Sequence, residues 1–145
     1  MNAIRPTKTH ATLLVLSGVV ALAVGAALVL APESFHASNG IELGDDASLM
    51  SEVRAPGGAL FAFGALMLWG AFARSLTLAA TALGAALYLS YGVARLVSIA
   101  LDGMPAPGLV GALTIEFALG AACAVLFARA TNRASLAARA AGEAA

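Results

Sequence analysis

Arg95 and Glu116 are the two charges that an apolar sequence has least reason to carry. Each stands alone in a long run with no other charged residue, Arg95 in 76–101 and Glu116 in 109–128. A guanidinium supplies several N–H donors in a fixed fork, suited to a carboxylate, phosphate or carbonyl oxygen. A carboxyl group shielded from water can take or give a proton. Together the two could form an internal ion pair, or a polar pocket in which Arg95 holds an anionic or carbonyl group and Glu116 exchanges protons. Spacing adds neighbours to both. Gly84, Tyr88, Tyr91, Arg95, Ser98 and Asp102 recur at intervals of three and four, so a helix places them on one face. Ala112, Glu116, Gly120, Cys123 and Phe127 share a stripe in the same way.

The elements that must position these groups follow from composition. Of 145 residues, 61% are hydrophobic and 11% charged, where a soluble domain has about 25% charged residues. So short and apolar a chain cannot cover a soluble core with polar surface, and lipid is the expected solvent and first partner. The formal net charge is zero, so no basic field points to nucleic acid. A single cysteine, Cys123, excludes an internal disulfide and a Cys-rich metal site.

Four apolar runs predict four transmembrane helices, at about 11–31, 53–73, 76–101 and 109–128. The first follows Arg5, Lys8 and His10, a layout shared with signal peptides, but it is longer than the roughly 7–15 residues of a signal core. It is read as a retained span. The loop 32–51 holds Glu33, Glu42, Asp45 and Asp46 with no Lys or Arg, and Ser38-Asn39-Gly40 supplies a turn. Pro56 predicts a bend between a short interfacial helix, from about Asp46, and the second span. The Ala-rich tail 129–145 is expected to fray or to lie on the membrane surface.

Arg5, Lys8, Arg74, Arg129, Arg133 and Arg139 fall at one end of the spans, and the loops at the other end carry only acids. The positive-inside rule then places both termini in the cytoplasm. The fold class expected is an all-α multi-pass membrane protein, an antiparallel bundle of four transmembrane helices with both termini cytoplasmic. In that frame Arg95 and Glu116 both lie roughly 9–10 Å below the outer surface. Glu52 and Arg54 enter at a comparable level.

A charge at mid-membrane depth costs about 2.5–3.5 kcal/mol on insertion scales. Pairing would offset much of this, with Tyr88 and Tyr91 as hydrogen-bonding neighbours. The alternatives are a pocket open to the outer face or to lipid, and snorkelling of Arg95 toward the surface. The function classes follow the same division. One is an accessory or ligand-binding bundle holding a lipid-like or quinone-like molecule, or docking against other membrane subunits or a second copy. The other is a small transporter or membrane enzyme using Glu116 as a proton-exchanging group. Against the second stand the small size and the lack of an inverted repeat, a metal constellation or a nucleophile motif, and nothing implies a cofactor. The acids of the first loop, with His36 and Asn39, match no EF-hand spacing and read as solvated loop. Gly18, Gly25, Gly57, Gly58 and Gly64 read as helix contacts, Trp69 as an interface anchor and Cys123 as a small packing residue.

The strings APESF, GIEL, SEVRAPGGAL and GVARLVSIALDGMP, followed by a Glu in the fourth helix, resemble the bacterial family of small four-helix membrane proteins known as domain of unknown function 4345. The resemblance runs from about Leu13 to Ala128, and its most specific element is RxxSxxxDGxP, here Arg95, Ser98, Asp102, Gly103 and Pro105. It implies four spans with a longer first outer loop, and it groups Glu52, Arg54, Arg95, Asp102 and Glu116 as family-type polar positions. It implies no activity.

Overall fold

The computed structural model describes residues 8–143, all of whose regular structure is helical. Arg5 lies outside the described residues. The helices are α1 (Lys8–Leu30), α2 (Pro32–Ala37), α3 (Ala47–Phe72), α4 (Thr77–Asp102) and α5 (Pro107–Glu143). All but α2 are long and apolar enough to cross a membrane, and large side chains such as Leu16, Phe61, Trp69, Phe72 and Leu101 face outward. Outward Leu and Phe suit a lipid surface, since hydrocarbon does not penalise them.

Local chemistry sets the ends of the helices. Asp46 caps α3, its Oδ1 accepting from the backbone nitrogens of Ser48 at 2.7 Å and Leu49 at 3.3 Å, which satisfies donors that the first turn leaves without partners. One of the loop acids is thereby used as a helix cap. The Thr77 hydroxyl donates to the carbonyls of Gly70 at 2.9 Å and Ala73 at 3.3 Å, closing the tight turn from α3 to α4. Gly103, at φ +94°, ends α4 in a conformation that a side chain disfavours. Pro105 and Pro107 follow, and α5 begins at Pro107.

α3 runs without interruption through Pro56, so the expected interfacial helix and the second span are one element. Its course is held by α1 alongside. Gly18 and Gly25 on α1 face Gly64 and Gly57 on α3, and a Cβ on Gly64 would meet the Leu22 nitrogen and the Gly18 carbonyl. Two glycines seven residues apart on each helix let antiparallel backbones touch along a whole face. α4 packs most extensively on α5, where Gly84 lies against Cys123, Gly120 against Leu89 and Gly92 against the Phe117 ring. The four long helices are therefore antiparallel in sequence order, α1 against α3, α3 against α4 and α4 against α5. Two differences from the sequence reading remain. The segment 32–51 contains the short helix α2, and the tail continues α5 to residue 143. At 37 residues and 1.5 Å per residue, α5 is about 55 Å long, well beyond the roughly 30 Å of a bilayer core.

Candidate functional site

α1 and α5 meet little. They touch at mid-bundle, where the buried Ser17 hydroxyl lies 3.9 Å from the Cys123 sulfur. From there toward the end carrying the α1–α3 and α4–α5 loops, a cavity of about 320 Å³ separates them. α1 contributes Val20, Ala21, Val24 and Leu28, and α5 contributes Leu109, Ala112, Ile115 and Glu116. α4 supplies the back wall with Leu87, Tyr88, Tyr91 and Arg95, while Phe35 of α2 and Asn39 just beyond it lie across the loop end. A volume near 300 Å³ with mostly apolar walls and a few convergent polar groups is the ordinary form of a small-molecule site.

The charged and phenolic groups lie on α4 and α5, and the Asn39 amide lies on the cover. Arg95 Nε donates to both oxygens of Glu116, at 2.9 and 3.0 Å, the one ion pair among the described residues. The Glu116 side chain is 10% exposed and that of Arg95 31%, so the pair sits at the cavity wall with the carboxylate on the inner side. The usual guanidinium–carboxylate pairing is a two-pronged fork. Here one N–H serves both oxygens, and the Nη1 and Nη2 groups have no hydrogen bond among the described residues. Tyr91, one turn before Arg95 on the same helix face, also lines the cavity with its hydroxyl unbonded among those residues. Tyr88 differs. Its buried hydroxyl donates to the Ser17 carbonyl of α1, tying α4 to α1 where the cavity begins.

The remaining sequence candidates lie elsewhere. Arg54 Nε donates to the Val29 carbonyl at 3.3 Å, satisfying one of the open carbonyls at the end of α1. Glu52 is exposed and makes no ion pair with Arg54. Asp102 accepts from the Ser98 hydroxyl at 3.0 Å on the exposed end of α4. None of these three lines the cavity. Among the described residues no three His, Cys, Asp or Glu side chains converge as metal ligands.

The α1 wall and the α2 cover are the parts that sequence reasoning missed. α1 is apolar on every side, so no periodicity distinguishes the face toward the cavity from the face toward lipid. Phe35 and Asn39 carry no signal beyond a turn next to an apolar residue.

A family model described as Domain of unknown function (DUF4345) matches residues 10–127. That range holds nearly all of α1 to α4 and stops within α5, before the Arg-bearing extension. No curated protein and no solved structure matches.

Proposed function

The chain belongs to the DUF4345 family, and from that premise, which carries no activity, we propose that it is a ligand-binding or accessory membrane bundle whose loop-end cavity holds a lipid-like or quinone-like molecule. The observation that carries this reading is the cavity itself: about 320 Å³ of mostly apolar space lined by Arg95 and Tyr91, whose Nη and hydroxyl donors have no hydrogen bond among the described residues. An amphipathic occupant would place its apolar part along Val20, Val24, Leu28 and Ile115 and its polar end at Arg95.

The bundle spans a bacterial inner membrane with both termini in the cytoplasm. Lys8, Arg74, Arg129, Arg133 and Arg139 gather at one end and Glu33, Glu42, Asp45, Asp46 and Asp102 at the other, the bias that orients multi-pass proteins. The cavity then lies in the outer leaflet, beside the α1–α5 seam. A proton-exchanging Glu116 finds less support, because Arg95 engages both carboxylate oxygens.

The test is mass spectrometry of the small molecules and proteins that leave native membranes with the protein in a mild detergent, comparing wild type with Arg95→Ala. A small molecule present with wild type and lost from the variant is expected. A protein partner retained by both, with no small molecule, would overturn the ligand reading in favour of an accessory subunit. For orientation, a cysteine at Ser38 in a Cys123→Ala background should react with an impermeant thiol reagent in intact cells. Reaction only after permeabilisation would reverse the topology.

A further inference from the structure

The cavity's inventory of donors, acceptors and charges narrows the occupant. Among the described residues Glu116 is the only acid lining the cavity and Arg95 the only base, and they are bonded to each other. The site is formally neutral before anything enters. An anionic headgroup drawn to the guanidinium would come close to the Glu116 carboxylate, with little water between them, where like charges repel strongly. Glu52, Arg54 and Asp102 do not line the cavity and cannot shift this balance at contact range.

Hydrogen bonding points the same way. Both Glu116 oxygens are engaged, and the Tyr88 hydroxyl is given to Ser17. What stays unbonded on the α4 wall is the Nη edge of Arg95 and, one turn away, the Tyr91 hydroxyl. Both can donate. A carbonyl oxygen accepts two hydrogen bonds and carries no charge. Donors near a cavity that is otherwise almost wholly apolar recognise such a group and discriminate against analogues that lack it.

We infer that the occupant is an uncharged amphiphile whose polar end is a carbonyl acceptor, as in a ketone, quinone or ester, received by Arg95 Nη and the Tyr91 hydroxyl. The inference rests on the reading of the cavity as an amphiphile site and adds the chemical class. Glu116 acts here as a positioning residue, holding the guanidinium by Nε and cancelling its charge, so that the site selects neutral polar ends over anionic ones.

Decyl methyl ketone and decanesulfonate share the decyl tail and differ in the charge of the polar end. Each is titrated into the full chain, stripped of co-purifying lipid in a non-ionic detergent, with binding read by native mass spectrometry and by thermal stability. Wild type should bind the ketone about tenfold or more tighter than the sulfonate. Glu116→Gln, which removes the carboxylate charge while keeping the shape, should reverse that order. Tyr91→Phe should weaken the ketone and leave the sulfonate unchanged. Sulfonate binding as tight as ketone binding in wild type would overturn the inference and leave the cavity reading intact. Binding of neither probe, with no co-purifying small molecule, would overturn both. Should Glu116→Gln fail to fold, the wild-type ratio and Tyr91→Phe decide the matter.

Discussion

α1 uses its two long sides in opposite ways. Toward α3 it presents Gly18 and Gly25 to Gly64 and Gly57, and the backbones approach until a single added Cβ would collide with the opposite main chain. Toward α5 it touches at Ser17 and Cys123, and from Val20 to Leu28 it faces a cavity. The same apolar helix thus supplies a seam with no spare volume and a seam with about 320 Å³ of it. In lipid, apolar character does not itself draw helices together, and close packing of small residues does much of that work. A helix pair with facing glycines closes, whereas a pair offering Val20, Val24, Leu28 and Ile115 stays apart unless something fills the gap. Close packing is concentrated in the α1–α3 and α4–α5 seams, and the α1–α5 seam keeps the spare volume.

The sharpest way to break this contrast is to add volume to the closed seam. Gly64→Ile should destabilise the bundle by about 3 kcal/mol or more, because overpacking is costly where the opposing atoms are main chain. Unfolding in mixed detergent micelles measures it. A loss under about 1 kcal/mol would show that the seam has slack. Next comes the ion pair at the cavity wall. Arg95→Ala leaves a mostly buried carboxylate unpartnered and should cost about 2–3 kcal/mol, discounted for the exposed part of the arginine. Arg95→Leu with Glu116→Leu should recover most of the loss in the same assay, and the charge exchange Arg95→Glu with Glu116→Arg should recover part of it. Tyr88→Phe removes the hydrogen bond to the Ser17 carbonyl that ties α4 to α1 at the base of the cavity, and about 1 kcal/mol of stability should go with it. Glu52→Gln should lie within about 0.5 kcal/mol of wild type, since the group is exposed and makes no ion pair among the described residues. A larger effect would place a binding determinant outside the cavity.

Much of the contrast could be read before the structure. The four spans are visible as apolar runs bounded by charges, and Arg95 and Glu116 stand out because nothing else in their runs is charged. The glycines of α1 and α3 announce close contacts, although only the structure pairs 18 with 64 and 25 with 57, and it leaves Gly58, read as a contact, facing open space. Helical spacing puts Tyr88, Tyr91 and Arg95 on one face, yet it cannot tell that Tyr88 is engaged by Ser17 and Tyr91 is not. Glu52, Arg54 and Asp102 looked equally apt as polar positions near the loop end. Their bonding to local groups, or to none, depends on where the helix ends fall. Pro56 predicts a bend between two helices, and α3 passes through it as one element. The run of α5 on to residue 143 is hidden because the Ala-rich segment has high helix propensity without an apolar face to declare it. The cavity depends on what does not touch, a property of helix placement that no single run of residues encodes.

The central claim is that spare volume between α1 and α5 is occupied by a bound molecule. The direct test is to fill it and count ligands. Ala112 lines the cavity on α5, so Ala112→Phe should be accommodated within about 1 kcal/mol of wild-type stability, unlike any enlargement at Gly64. Native mass spectrometry of both proteins taken from membranes should then find a small molecule bound to wild type and lost from Ala112→Phe. The same molecule on a folded Ala112→Phe variant, or none on wild type, would contradict the account.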